Sequence, residues 1–423
     1  MRIYKANILH TPTPDKLEVL PNGFLVVDEN GIIEGAYPSL PEHFQHLTVT
    51  DYGDRLLIPA MNDLHLHAPQ YRNMGLALDL PLLQWLETYT FPEEGRFSDI
   101  TYAEKIYPRF VHDLWWHGTM RSAIFATVHP EATFLLARLL QKSGMGAYIG
   151  LVGMDRNCPD YLQNSPTEVV QNITLLLQTL SGDPLVHPIV TPRFVPSCSG
   201  EMMDALGELA IRKNIPVQSH LSENVNEIAW VRELEPESTC YADAYYRHGL
   251  FGQTPTLMAH CCYSDGIELE LMRKQQIYAV HCPSSNCNLP TGMAHVRKLL
   301  NNGIKVALGS DISGGHTMSI FSIIRYAIEV SKIIHAETSG QEPFLSFSEA
   351  FWIATKSGGS FFGKVGSFEP GYAFDALVID DQRLNSSEYT LAERLERYIY
   401  LGDPADIQHR FCQGKELSAP SIH

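Results

Sequence analysis

Two histidines one residue apart, His65 and His67, are the first feature of the sequence that suggests chemistry, in the stretch IPAMNDLHLHAPQY. Alternate side chains of a β-strand point to the same face, so the two imidazoles can reach one metal ion. The apolar run LLIPAM precedes the pair, which predicts that it lies at the carboxyl end of a strand. Such pairs also occur on ordinary exposed strands, so the meaning of this one depends on the rest of the chain.

Four further polar residues close other short, apolar, strand-like runs. They are His220, His260, His281 and Asp311. Nitrogen and oxygen donors of this kind suit Zn²⁺, with other first-row divalent metals possible. The four metal ligands that we predict are His65, His67, His220 and Asp311. One ion per chain is expected, because the predicted fourth strand, in VHPIVTPRF, has no lysine that could bridge two ions.

The same residues suggest catalytic roles. Asp311 could contact the metal and accept a proton from water, although it could also cap the helix predicted after it. Glu223 follows His220 by three residues, which favours a carboxyl group near the metal that carries protons. Its alternative role is in a capping box with a neighbouring serine. His260 could polarise the attacking water, whereas His281 either acts directly or only supplies a hydrogen bond.

The elements that position these residues alternate between strands and amphipathic helices through the middle of the chain. The predicted strands are roughly 56–63, 119–125, 146–153, 185–191, 215–220, 256–261, 277–282 and 304–310. Eight strands with intervening helices predict an α/β fold, a (β/α)8 barrel of the TIM type whose site lies at the carboxyl ends of the strands. Short strands near both chain ends predict a small β-sandwich domain beside it. The expected division is 1–58 and 366–423 for the β-domain and 59–365 for the barrel.

Composition limits the classes of function. The chain has 423 residues and a formal net charge of −17, which argues against a nucleic-acid partner. No uncharged apolar run approaches the ~18 residues of a membrane-spanning helix, and the first residues do not form a secretory signal. Eight cysteines without a CxxC pair are typical of free thiols in a reducing compartment, so we expect a cytoplasmic protein with no membrane partner.

Taken together, IPAMNDLHLH, HLSE, MAH, HCPSSN and GSD resemble the amidohydrolase superfamily, in its branch of deaminases with one metal ion. The stretch PQYRNMGLALDLPLLQWLETYTFPEE and the segment PIVTPRF are similar to the guanine deaminase family in particular. The resemblance covers about residues 55 to 370. It implies zinc-dependent hydrolysis of guanine to xanthine and ammonia, a role in purine catabolism or salvage, and a homodimer.

The resemblance also implies roles for individual residues. Its metal ligands match the four predicted above. Its purine-recognition residues match Gln70, Arg193 and Phe194, its proton shuttle matches Glu223, and His260 also lines its substrate site. Two alternatives remain open: a related deaminase that acts on 8-oxoguanine, cytosine or a triazine-type substrate, and a non-catalytic scaffold with a vestigial barrel.

Overall fold

The computed structural model describes residues 1–422 and has a mixed α/β architecture. Its strands are β1 (Arg2–Thr13), β2 (Lys16–Val27), β3 (Ile33–Tyr37), β4 (Val49–Pro59), β5 (Met61–His67), β6 (Thr119–Phe125), β7 (Gly146–Gly150), β8 (Val152–Gly153), β9 (Val186–Pro188), β10 (Thr191–Pro192), β11 (Val217–Leu221), β12 (Thr256–His260), β13 (Tyr278–His281), β14 (Lys305–Leu308), β15 (Ala376–Ile379), β16 (Ile407–Cys412) and β17 (Lys415–Glu416).

Its α-helices are α1 (Leu82–Trp85), α2 (Phe91–Gly95), α3 (Ile100–Trp116), α4 (Pro130–Ser143), α5 (Pro166–Thr179), α6 (Gly200–Lys213), α7 (Val225–Leu234), α8 (Tyr241–Arg247), α9 (Ile267–Lys274), α10 (Pro283–Asn288), α11 (Val296–Asn301), α12 (Ile320–Glu337), α13 (Phe347–Trp352) and α14 (Leu391–Leu401). Helix α6 buries the apolar positions that its period of 3.6 predicts, among them Met202, Leu206 and Leu209. None of the described helices is both long and apolar enough to cross a membrane.

Strands from both chain ends share one seven-stranded sheet, in the order β17-β16-β15-β4-β1-β2-β3. The two ends meet where β15 pairs antiparallel with β4, with Leu57 opposite Val378. Apolar side chains on one face of this sheet, such as Ile8, Leu25 and Phe374, form a separate buried cluster. Neither end could bury such a face alone, which is why the sheet needs both.

The middle of the chain forms two four-stranded parallel sheets, β5-β6-β7-β9 and β11-β12-β13-β14. A parallel bridge between Val190 and Val217 joins them at one seam. At the other seam the amide of Asp311 donates to the carbonyl of His65 at 2.8 Å. Because the strands are parallel and the two sheets meet at both seams, the carboxyl ends of all eight strands lie near one another. Helices such as α3, α4 and α6 pack their apolar faces against these strands.

The predicted first barrel strand, 56–63, differs from the structure. Residues up to Pro59 belong to β4 of the seven-stranded sheet, and β5 begins at Met61. Leu56, Leu57 and Ile58 pair with β15, and the amide of Ala60 donates to the carbonyl of Asp375. One apolar run therefore supplies two strands, and local sequence gives no sign of the distant β15 that claims its first half.

Candidate active site

The predicted site residues reach one place from separate strand ends. Strand β5 carries His65 and His67, β11 carries His220, β12 ends at His260, and Asp311 follows β14. The backbone has positive φ at His260 (74°) and Asp311 (45°), a conformation that side chains with a Cβ rarely adopt. Such strain is tolerated where the surrounding structure holds it, and it concentrates at functional sites.

The four predicted ligands lie within a few ångströms of one another. The Oδ1 atom of Asp311 is 3.2 Å from His65 Nε2 and 3.3 Å from His67 Nε2. The Nε2 atoms of His67 and His220 are 3.3 Å apart. His65, His67 and Asp311 form one group of potential ligand atoms, and His65, His220 and His260 form a second, with all atoms of each group within 4.8 Å.

The donor chemistry fits a metal ion. His220 Nδ1 lies 2.6 Å from the carbonyl oxygen of Arg193, so the ring proton sits on Nδ1 and Nε2 presents a lone pair. His65 Nε2 is buried without a hydrogen-bond partner among the described residues. Converging lone pairs that lack hydrogen atoms between them need a cation, and three imidazoles with one carboxylate are typical ligands of a divalent ion.

The protonation states agree with that role. Burial lowers the pKa of His67, and burial with the neighbouring imidazoles holds the pKa of His220 well below its usual range. Burial alone would raise the pKa of Asp311, but the imidazoles of His65 and His67 hold it well below its usual range. The neutral forms of His67 and His220 and the ionised form of Asp311 are therefore favoured, as they are in metal ligands.

Glu223 and His260 face each other beside this cluster. Glu223 Oε2 is 3.5 Å from His260 Nε2, which is also 3.8 Å from Asp311 Oδ2. Burial, and then the negative charges of Glu227 and Asp311, raise the pKa of Glu223 well above its usual range. The side-chain amide of Asn286 donates to His260 Nδ1 at 3.0 Å, so the ring hydrogen of His260 is on Nε2.

Gln70 and Arg193 meet at a third carboxylate, that of Glu94 in α2. The guanidinium Nη1 of Arg193 donates to Glu94 Oε2 at 2.6 Å, and Gln70 Nε2 donates to Glu94 Oε1 at 2.8 Å. All three side chains are buried. Phe194, next to Arg193, also lines the site, and its ring stands edge-on to that of His220 at 6.5 Å between centroids.

Most of these groups, but not His65 or Glu94, line one cavity, whose empty space of about 490 Å³ includes its opening to solvent. Its cover is apolar and comes from Leu82, Trp85, Leu86 and Leu289. The indole Nε1 of Trp85 donates to the carbonyl of Leu76 at 3.1 Å, which ties α1 to the preceding loop. An apolar cover over converging polar side chains suits a small planar ligand.

The structure separates alternatives that the sequence leaves open. Helix α12 is capped by Ser319, so Asp311 is not a helix cap. The capping box of α7 uses Asn224 and Glu227, so Glu223 is not part of it. His281 is buried outside the cavity lining, and neither of its ring nitrogens has a hydrogen-bond partner within residues 1–422.

Three residues of the site were not singled out by the sequence analysis. Glu94 is the second glutamate of TFPEE, Glu227 occupies position N3 of α7, and Asn286 ends HCPSSN. Glu227 accepts hydrogen bonds from the hydroxyl of Tyr241 at 2.6 Å and from the amide of Glu223 at 3.2 Å. TFPEE and HCPSSN were visible as motifs, but only the tertiary structure shows what their polar residues contact.

The comparisons with known proteins agree with this geometry. The model of the amidohydrolase family matches residues 56–417. The chain therefore belongs to the amidohydrolase family. Within it, the chain groups with proteins named guanine deaminase. One from Dictyostelium discoideum is 39% identical, with 99% of this chain and 98% of the relative covered, and one from Homo sapiens is 32% identical, with 98% and 96% covered.

A solved structure gives the same grouping. The crystal structure of guanine deaminase from C. acetobutylicum, with guanine bound in its active site, has 50% sequence identity to this chain and a TM-score of 0.97. The match covers 99% of this chain and all of that one. The guanine deaminase of E. coli is more distant, at 28% identity and a TM-score of 0.91.

Proposed function

We propose that this chain is a zinc-dependent deaminase that hydrolyses guanine to xanthine and ammonia, in purine catabolism or salvage. The observation that carries the proposal is one cavity lined by His67, His220, Asp311, Glu223, Gln70 and Arg193. Ligands, a proton carrier and polar recognition groups are thus within reach of one small molecule. The chain's guanine deaminase relatives, similar over nearly their whole length, support the choice of substrate.

Guanine suits this cavity chemically. It is planar and neutral, so the apolar cover can enclose it. Arg193 and Gln70 supply N–H donors that pair with the oxo group at C6, and Phe194 lies beside them as an aromatic wall. Leaving such buried donors unpaired would cost roughly 1–3 kcal/mol each, which favours a purine that carries the oxygen.

A divalent ion held by His65, His67, His220 and Asp311 supplies a Lewis acid that activates water near neutral pH. Asp311 is ionised and accepts the proton of the water that attacks C2. His260 carries its hydrogen on Nε2, between Glu223 and Asp311. This N–H donates a hydrogen bond to the water oxygen as negative charge develops on it.

Glu223 performs the second proton transfer. Its raised pKa favours the protonated carboxyl group, which can deliver that proton to N3 of the ring. Protonation makes C2 more electrophilic. The tetrahedral C2 then expels its amino group, which takes up the proton held by Asp311 and leaves as ammonia. The hydroxyl on C2 returns its proton to Glu223, and its oxygen remains as the new oxo group of xanthine.

The architecture proposed from the sequence remains the best description. The two parallel sheets joined at both seams support a closed (β/α)8 barrel at 59–365. The shared seven-stranded sheet supports one small β-domain built from both chain ends, and we propose that it folds on itself as a β-sandwich of residues 1–58 and 366–423. We also propose one zinc ion per chain, a homodimer and a cytoplasmic location. All eight cysteines are free thiols, which supports a reducing compartment.

The proposed function is tested by an ultraviolet assay of the purified protein against guanine, 8-oxoguanine, adenine, cytosine and a triazine, with metal analysis of the same sample. We expect guanine to be the best substrate by about 10²-fold or more, and about one zinc ion per chain. Equal kcat/KM for guanine and cytosine would contradict the assignment of guanine as the substrate. Inactivity toward every compound in a metal-loaded sample would favour a non-catalytic scaffold.

A further inference from the structure

Glu94 occupies a position that the proposed reaction does not explain. It lies in the short helix α2, is buried, and is neither one of the predicted metal ligands nor one of the residues that line the cavity. Its two carboxylate oxygens accept hydrogen bonds from different partners, Oε2 from Arg193 and Oε1 from Gln70. One carboxylate thus joins the two side chains that recognise the substrate.

This arrangement fixes which atoms Gln70 can offer to a ligand. A carboxylate only accepts hydrogen bonds, so Gln70 must turn its Nε2 toward Glu94. Its Oε1 is then occupied by Ser313, whose amide is at 3.2 Å and whose hydroxyl is at 3.4 Å. The hydrogen-bonding capacity left on Gln70 is its second N–H.

Arg193 is constrained in the same way. Its charge is neutralised by Glu94, and within residues 1–422 no other group accepts a hydrogen bond from its guanidinium. The guanidinium carries five N–H donors and no acceptor. The edge of the cavity formed by Gln70 and Arg193 therefore presents donors only.

We propose that Glu94 is a positioning residue that makes this edge donor-only and so selects a purine with an oxo group at C6 over one with an amino group. An oxo group accepts these donors, whereas an amino group presents hydrogens to them and leaves buried groups unpaired. The inference rests on the proposed function, because it concerns the substrate specificity of the same site.

The test compares guanine with 2,6-diaminopurine, which has the same amino group at C2 but carries an amino group at C6 and no hydrogen on N1. Glu94→Gln removes the charge and lets the amide of Gln70 rotate to offer its oxygen. We expect KM for guanine to rise about 10-fold and the ratio of kcat/KM between the two purines to fall at least 10-fold, with metal content unchanged. A purely structural role would lower both activities together.

Glu93→Gln is the matched control. Glu93 is the preceding residue, also buried, but its carboxylate accepts from Tyr102 and Arg96, away from Gln70 and Arg193. In Glu93→Gln the ratio of kcat/KM between guanine and 2,6-diaminopurine should equal that of the unmodified protein. Adding Glu94→Gln to Arg193→Ala should lower the discrimination less than Glu94→Gln lowers it in the unmodified protein, because residues that act through one another are not additive.

Glu94→Asp covers the case in which Glu94→Gln does not fold, since it keeps the charge but is too short to hold both partners. The ratio of kcat/KM between guanine and 2,6-diaminopurine should also fall in Glu94→Asp. An unchanged ratio in either folded Glu94 variant, while the unmodified protein hydrolyses guanine, would overturn this inference and leave the proposed function intact. Inactivity of the unmodified, metal-loaded protein toward guanine would overturn both.

Discussion

Replacing Glu223 by glutamine tests the proton transfer on which the proposed mechanism depends. The carboxyl group lies 3.5 Å from His260 Nε2, and burial with the charges of Glu227 and Asp311 raises its pKa well above the usual range. The protonated form of Glu223 is therefore favoured, and it can release its proton to the ring. Glutamine keeps the size and can donate a hydrogen bond, but it cannot release a proton.

We expect kcat to fall about 10²-fold or more, the usual contribution of general acid–base catalysis. At 1.36 kcal/mol for each factor of ten, this is about 2.7 kcal/mol of transition-state stabilisation. KM for guanine should change little, because Arg193 and Gln70 remain in place. In the unmodified protein, activity should also decline as the pH rises through the raised pKa of Glu223, since the protonated form is required.

The assay is steady-state hydrolysis of guanine followed by ultraviolet absorbance, with metal analysis of each protein. Glu268→Gln is the control, because Glu268 is a buried glutamate on the neighbouring α9 that bonds Ser222 and Ser264 and does not line the cavity. Its kcat should stay within about threefold. Near-normal kcat in Glu223→Gln would refute the role of Glu223 and make Asp311 the first candidate for the proton carrier.

Three further predictions follow from the site. His65→Ala should abolish activity and empty the metal site, and full metal occupancy in this variant would contradict the ligand assignment. Arg193→Ala should raise KM for guanine and narrow the preference for guanine over adenine at unchanged zinc content; an unchanged preference would exclude its role in recognition. Burial raises the pKa of Glu227 to about 7, so its contribution to stability is present at low pH and lost as the pH rises from about 4.3 to about 7. In urea unfolding, the free energy of unfolding of Glu227→Gln should fall less over that pH window than that of the unmodified protein. The same pH dependence in both proteins would contradict the raised pKa of Glu227.

The clustering of the four predicted metal ligands could be foreseen because each of them closes an apolar run. Parallel strands bring their carboxyl ends together, so His65, His67, His220 and Asp311 could be grouped without knowledge of the helices between them. His260 and Asp311 needed more than strand alternation, since positive φ at both positions sets the direction of their side chains. The sequence indicates the strand ends but not such local backbone turns.

What the sequence could not predict depends on contacts between distant segments. The run at 56–63 divides between two sheets because β15, about 320 residues later, pairs with its first half. Glu94 lies 99 residues from Arg193, and only the folded chain joins them. His281 closes a strand as the ligands do, yet it lies outside the cavity lining, so a polar residue at a strand end does not by itself identify a site residue.

Hydrolysis of guanine in water enriched in ¹⁸O, with mass analysis of the products, tests the central claim most directly. We predict xanthine that carries one ¹⁸O at C2, together with one ammonia per xanthine, and loss of both products when a chelator removes the metal. Unlabelled xanthine, ammonia without xanthine, or undiminished turnover in metal-free protein would contradict metal-dependent hydrolytic deamination of guanine.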